Sequence, residues 1–348
     1  MSELRKARLQ EREGSKVRCL VCERRCLLEE GRRGSCGNYA NTGGKLYHLG
    51  YGKLSHLESR PIEIKPLFHY WPGSTALTYS SYGCNFYCPW CQNHEISFSW
   101  PLEGSRAIKP SELVSLASIK GDHGISASLN EPAVNFDFVV DASELAVGRG
   151  LYSMIVTNCY FTLEALRELL RVGVDGWSID IKGCPEVAER KVLPHINHEI
   201  VFRNAREVLR AGGHVEMVYL VVTGANDTES CFEWVLDKHI SHLDPEVPLH
   251  INRYFPANKW REPPTSLNLL LELRKRAMRE GLNFVYVGNL FDSELESTYC
   301  PRCGKLLMRR QFSRLTHVNL TREGSHWVCP GCSRRVPIRG KIGAQYRS

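Results

Sequence analysis

Long uncharged apolar runs are missing from this 348-residue chain, and none approaches the roughly 18–20 residues that a membrane helix needs. The opening MSELRKARLQEREGSK also lacks the apolar stretch of a signal peptide, so a cytoplasmic protein without membrane association is expected. Low-complexity segments and internal repeats are absent too. With 43% hydrophobic and 24% charged residues, that excludes disordered and fibrous classes and leaves a globular chain of two or three units. Acids nearly vanish at the end: residues 301–348 hold eleven Lys and Arg against Glu323 alone. This local +10 exceeds the total of +7, so the first 300 residues sum to −3. A basic stretch of this kind can bind nucleic acid or an acidic partner, or simply keep a small module soluble.

Cysteine, by contrast, is abundant. A reducing compartment makes metal ligation or catalysis a better account of fourteen cysteines than disulfides. Four lie early (Cys19, Cys22, Cys26, Cys36), three within eight residues (Cys84, Cys88, Cys91) and four late (Cys300, Cys303, Cys329, Cys332). Cys159, Cys184 and Cys231 stand apart.

Between about residues 74 and 292 the chain alternates β-branched apolar runs with segments of helical period, the pattern of βα units around parallel strands. The runs TALTYSS, GISASL, YSMIVT, GWSIDI, VEMVYLVV, VPLHIN and NFVYVG are the expected strands. The segments between them place an apolar residue every three to four positions and end in Gly. Six or seven such units predict an α/β fold, a partial TIM-like (β/α) barrel, with a doubly wound sheet as the alternative. The flanks differ: residues 1–73 form a Cys-rich segment with a charged start expected to be helical, and 295–348 a basic module with two CPxC turns.

Directly after the first expected strand comes Gly83-Cys84-Asn85-Phe86-Tyr87-Cys88-Pro89-Trp90-Cys91, where βα barrels gather their working residues. A four-iron cluster saturated by protein takes four thiolates, but the local set stops at three, so one iron would keep an open position. A zinc knuckle is the alternative and would need a fourth ligand from elsewhere.

The C-x3-C-x2-C spacing, with Trp90 before the last cysteine, resembles the signature of the radical S-adenosylmethionine superfamily. The resemblance extends through PIEIKPLFHYWPGS, GCNFYCPWCQNHEIS, NEP, TN, DIKG, GAND, PLHINRYFP and FVYVGN, roughly residues 19–290. That order looks like the radical enzyme of the AmmeMemoRadiSam group, a relative of the glycyl-radical-enzyme activases. The resemblance implies a [4Fe–4S] cluster on Cys84, Cys88 and Cys91 whose open iron binds S-adenosylmethionine, and reductive cleavage to a 5′-deoxyadenosyl radical that abstracts hydrogen. It places Trp90, Cys91 and Gln92 along the adenosine, Asn130 and Glu131 near the methionine amino group, and Thr157, Asn158, Asp180 and Lys182 near the carboxylate and ribose. His250 matches a histidine near the adenosine. Each of these also has a plainer reading: a helix-entry turn for the NEP segment, a cap for Asp180, a satisfied core histidine for His250.

Two departures stand out. Val156 replaces an Asp that in activases helps hold a monovalent cation, which puts that site in doubt. Cys159 stands where Gly is usual and Cys184 where an aromatic residue is common. Both could contact substrate or donate a hydrogen atom, or be inert buried thiols.

At the C-terminus, Cys300 and Cys303 with Cys329 and Cys332 form two knuckles of a tetrahedral zinc ribbon, with rubredoxin-like iron using the same ligands. The irregular C-x2-C-x3-C-x9-C of Cys19, Cys22, Cys26 and Cys36 could hold zinc, an auxiliary cluster, or nothing. By resemblance the substrate is a protein or peptide and the reductant flavodoxin- or ferredoxin-like. The alternatives are modification of a nucleic acid, suggested by the basic ribbon, and a non-catalytic iron–sulfur and zinc scaffold.

Overall fold

The computed structural model describes residues 4–100 and 106–343. The charged start is not helical. Its strands are β1 (Arg5–Lys6), β2 (Gln10–Glu13) and β3 (Lys16–Cys19), followed by β4 (Leu27–Leu28), β5 (Tyr39–Thr42) and β6 (Lys45–His48). Helix-forming side chains lose here to turn geometry: Gly14 takes φ 62° and closes a hairpin in which Glu13 opposes Lys16 and Gln10 opposes Cys19. The segment is then anchored on the helix Phe136–Gly148, whose buried Asp137 accepts from Tyr39 Oη at 2.8 Å and from the Arg8 amide at 2.8 Å.

The main sheet comprises β7 (His56–Pro61), β8 (Thr75–Ser80), β9 (Gly124–Ala127), β10 (Tyr152–Thr157), β11 (Val174–Ile181), β12 (His214–Val221), β13 (Leu249–Arg253) and β14 (Val285–Gly288). These eight strands follow one another in chain order across the sheet. A doubly wound sheet would reverse its order at a switch point, so that alternative is excluded. The pairs β8–β9, β9–β10, β12–β13 and β13–β14 are parallel. Seven strands coincide with the expected runs; β7, with its mixed HLESRP sequence, had no apolar alternation to mark it. Intervening helices such as Leu163–Arg171 and Glu199–Arg210 bury one apolar stripe each.

The chain divides into two compact units that cut across its linear order. The first holds residues 1–59, 76–177 and 210–213, and the second 60–75, 178–209 and 214–348. In the second, β15 (Thr298–Tyr299), β16 (Leu306–Gln311) and β17 (Arg314–Val318) form one small antiparallel sheet, and β18 (Thr321–Glu323), β19 (His326–Val328) and β20 (Arg335–Val336) another. Cys300, Leu307, Cys329 and Val336 from this region share a core with Phe68, Phe284 and Tyr286.

Glu63, in the single turn Ile62–Ile64, is buried and accepts from the Gly73 amide at 2.6 Å. Burial raises its carboxyl from 4.5 to about 7, although Arg310 and the Gly73 amide oppose the rise. Between those values the folded chain binds more protons than the unfolded one, so stability falls as pH rises through this window. Glu63→Gln should flatten that decline, read as urea midpoints across the window. Equal slopes for both proteins would show that the carboxyl is ionised throughout.

Candidate functional site

The three-cysteine loop leaves β8 in the first unit, and Asn130 fixes its start. The Asn130 Oδ1 accepts from the Ser81 amide at 3.1 Å, while its Nδ2 donates to Ser81 Oγ at 3.0 Å and to the Gly83 carbonyl at 2.9 Å. Asn130 is the N of the NEP segment, so the turn after β9 clamps the loop after β8. Gly83 has φ 85°, and a Cβ there would stand 2.5 Å from the Cys36 carbonyl, so glycine is required by both backbone and space.

Within the loop, the Phe86 amide donates to Cys84 Sγ at 3.4 Å and the Cys91 amide to the Cys88 carbonyl at 3.0 Å. None of Cys84, Cys88 and Cys91 is in a disulfide, and Trp90 is buried while Gln92 is exposed. Burial, then the Glu131 carboxylate and Cys88, hold the Cys84 thiol well above its ordinary range. A thiol so placed ionises when a cation shares the site, because metal charge inverts the local balance. The donor set therefore fits an iron–sulfur cluster: three soft ligands on one loop outside any disulfide, with an amide aimed at one sulfur.

Glu131 joins the ends of two strands. Its Oε1 accepts from Thr157 Oγ1 at 2.7 Å and from the Ala133 amide at 3.1 Å, and its Oε2 from the Asn158 amide at 2.8 Å. It thus also caps the short helix Pro132–Asn135, as the plainer reading expected. The Asn158 Nδ2 in turn donates to Asn85 Oδ1 at 2.7 Å, next to Cys84. Cys84, Asn85, Glu131, Thr157 and Asn158 are therefore linked in one hydrogen-bonded chain, beside which Asn130 ties down Ser81 and Gly83. Asn85 escaped the sequence reading because a lone Asn between two motif cysteines carries no signal of its own. Cys159 follows in the left-handed region at φ 55° with its side chain fully buried, which explains why glycine would be the easier residue there.

In the second unit, Asp180 near the end of β11 and Lys182 just past it pair with each other at 2.8 Å. The expectation of a free thiol at Cys184 is corrected: Cys184 is disulfide-bonded to Cys231, the two Cα atoms 5.5 Å apart. Forty-seven residues separate the partners, so sequence spacing gave no hint, and a disulfide sulfur has no hydrogen atom to donate. His250 is buried, and its Nε2 bonds Glu216 Oε2 at 2.7 Å. Glu216 Oε1 also meets His214 Nε2 at 2.9 Å and accepts from the His69 amide at 2.7 Å. Burial alone would push this carboxyl up, but the two imidazoles together hold it well below its usual range. Glu216 is a second residue the sequence reading missed; its signal was a single acid inside the apolar run VEMVYLVV.

The late cysteines converge. Cys300 and Cys332 sulfurs are 3.5 Å apart, as are those of Cys303 and Cys329, and all four lie within 4.8 Å of one another. The Gly331 amide donates to Cys329 Sγ at 3.4 Å. This donor set fits one tetrahedral ion.

Comparison with known proteins agrees with this geometry. Residues 78–238 match the family model of the Radical SAM superfamily. "Uncharacterized protein MJ0808" of Methanocaldococcus jannaschii is 36% identical over 326 residues, covering 93% of this chain and 96% of that one. Among solved structures, a domain of a pyruvate-formate lyase-activating enzyme from Bacteroides vulgatus is similar at 19% identity and TM-score 0.39, covering 48% of this chain and 99% of that one. A radical SAM methyltransferase from Sphaerobacter thermophilus is similar at 13% identity and TM-score 0.44, covering 67% and 72%. The chain belongs to the radical SAM superfamily of enzymes, whose cofactors are S-adenosylmethionine and a [4Fe–4S] cluster.

Proposed function

We propose that Cys84, Cys88 and Cys91 hold the four-iron cluster with one iron left open for S-adenosylmethionine, and that the substrate is a protein or peptide. The observation that carries the reading is the three-cysteine loop clamped to the strand ends by Asn130 and the Asn85–Asn158 bond. When bound and reduced, the group supplies an electron that cleaves the sulfonium bond and yields a 5′-deoxyadenosyl radical for hydrogen abstraction. The chain's own residues do the positioning. Buried Trp90 and Phe86 exclude water beside the loop. Trp90, Cys91 and Gln92 line the adenosine in this reading, and Glu131 orients Thr157 and Asn158 toward the cofactor's amino acid end. Asp180, Lys182 and His250 are assigned to the ribose, carboxylate and adenosine by the same resemblance to the activases. The AmmeMemoRadiSam group remains the closest description of the motif order, and a flavodoxin- or ferredoxin-like protein is the proposed reductant.

Anaerobically reconstituted protein given S-adenosylmethionine and dithionite should form 5′-deoxyadenosine, and Cys88→Ala should reduce it to the level without protein. Product from Cys88→Ala at the wild-type rate, or zinc in place of iron on this loop, would overturn the reading.

The late cysteines are proposed to bind one zinc ion as a structural ribbon. Cys303→Ala should lower bound zinc by about one equivalent per chain. It should also loosen the core that Cys300 and Cys329 share with Phe284, read as an earlier thermal transition. Nucleic-acid modification is the second reading, favoured by exposed Arg302, Lys305, Arg309, Arg314, Arg322 and Arg335. Binding through six phosphate contacts should weaken with salt at a log–log slope of about −5 on duplex DNA. A flat salt dependence rejects it.

A further inference from the structure

Four cysteines stand outside the radical site: Cys19 at the end of β3, Cys22, Cys26 and Cys36. All four line one cavity together with Arg24 and Asn85. The backbone is built around it, since the Cys19 amide donates to the Cys26 carbonyl at 2.9 Å and Cys26 Sγ lies 3.5 Å from Ser35 Oγ. None of the four is in a disulfide, although four thiols share one cavity.

We propose that this cavity holds a second iron–sulfur cluster, of the four-iron type, ligated by Cys19, Cys22, Cys26 and Cys36. Two observations separate a cluster from a zinc ion. The first is an internal comparison. Four thiolates on one zinc, with Zn–S of about 2.3 Å, must crowd together, as the late cysteines do within 4.8 Å. Among the described residues that late set is the group gathered so tightly. The early four line one cavity without gathering within that span, as do ligands that each take a different iron.

The second observation is Asn85. It is 1% exposed and its Nδ2 has no hydrogen-bond partner. The side chain lines the cavity on the Cys22 side, where its N–H faces that sulfur. A cluster with four thiolates is a net anion whose sulfurs accept such N–H groups, and hydrogen bonds to sulfur are one of the means by which proteins set cluster potentials. Arg24, whose Nε donates to the Asn85 carbonyl, brings a cation to the same wall. The other end of the Asn85 amide, Oδ1, lies 3.9 Å from Cys84 Sγ, so one side chain separates the two cysteine sets. The inference leans on the proposed radical site only for that adjacency.

The test counts metal in the full chain reconstituted anaerobically with 57Fe and sulfide. Wild type should hold about eight irons and eight sulfides per chain, two four-iron clusters by Mössbauer spectroscopy. The triple variant C84A/C88A/C91A should keep about half of each with a four-iron spectrum. Separately, C22S/C36S should halve the wild-type count. Overturning results are one cluster per wild-type chain, or zinc without iron at this site in the triple variant. Should the triple variant fail to fold, the wild-type count decides alone. A failure of the radical reading would appear elsewhere, as a protein with two clusters and no 5′-deoxyadenosine.

Discussion

In the proposed site three thiolates would share one cluster and repel one another, and the hydrogen bonds around the loop answer that constraint. The chain places Arg24 on the Asn85 carbonyl, next to Cys84. It holds the cysteines with neutral amides: Asn130 on the loop's first turn, the Phe86 amide on Cys84, and Asn158 on Asn85. Burial and then the Glu131 carboxylate make the Cys84 thiolate harder, not easier, to form. In the proposed site iron would reverse the sign of that environment and couple metal loading to the order of this loop, as wherever ligands must deprotonate to bind.

Glu131 shows why a carboxylate is tolerated so close to thiols. A buried carboxylate is costly unless its lone pairs are filled, and here Thr157, Asn158 and Ala133 supply donors from two successive strand ends. The same bonds fix the spacing between the turn after β9 and the turn after β10. The residue is at once a helix cap and the tie between the segments that carry the loop, so the plain and the functional readings of NEP describe one device.

Much of this was legible in the sequence because it rests on local pattern. Strands β8 to β14 are apolar and β-branched, and the cysteine spacing names its own chemistry. What was hidden depends on tertiary contact. The hairpin of the charged start hinges on Gly14, the Cys184–Cys231 bond joins positions far apart in the chain, and Glu216 acquires three partners only when His69, His214 and His250 meet it. Asn85 belongs to the same class, since its role comes from facing Cys84, Cys22 and Asn158 at once.

The basic end of the chain illustrates how composition can mislead about placement. Of its cations, Arg310 is fully buried, and its guanidinium lies 4.1 Å from the Phe68 ring. It donates to the Phe68 carbonyl and to Thr298 Oγ1 at 2.6 and 2.8 Å. Thr298 in turn bonds the Tyr286 hydroxyl, which reaches His69 Nε2 at 2.6 Å. A guanidinium keeps its charge in such a place because carbonyls and an aromatic face replace water. Phe68 also packs edge-on against His250, 4.7 Å between ring centroids. Strand β16 is thereby built into the core that holds the His250–Glu216 pair, and deleting it would strip partners from that pair's surroundings. A loss of activity on truncating this end would therefore report on packing in the second unit before it reported on any docking partner.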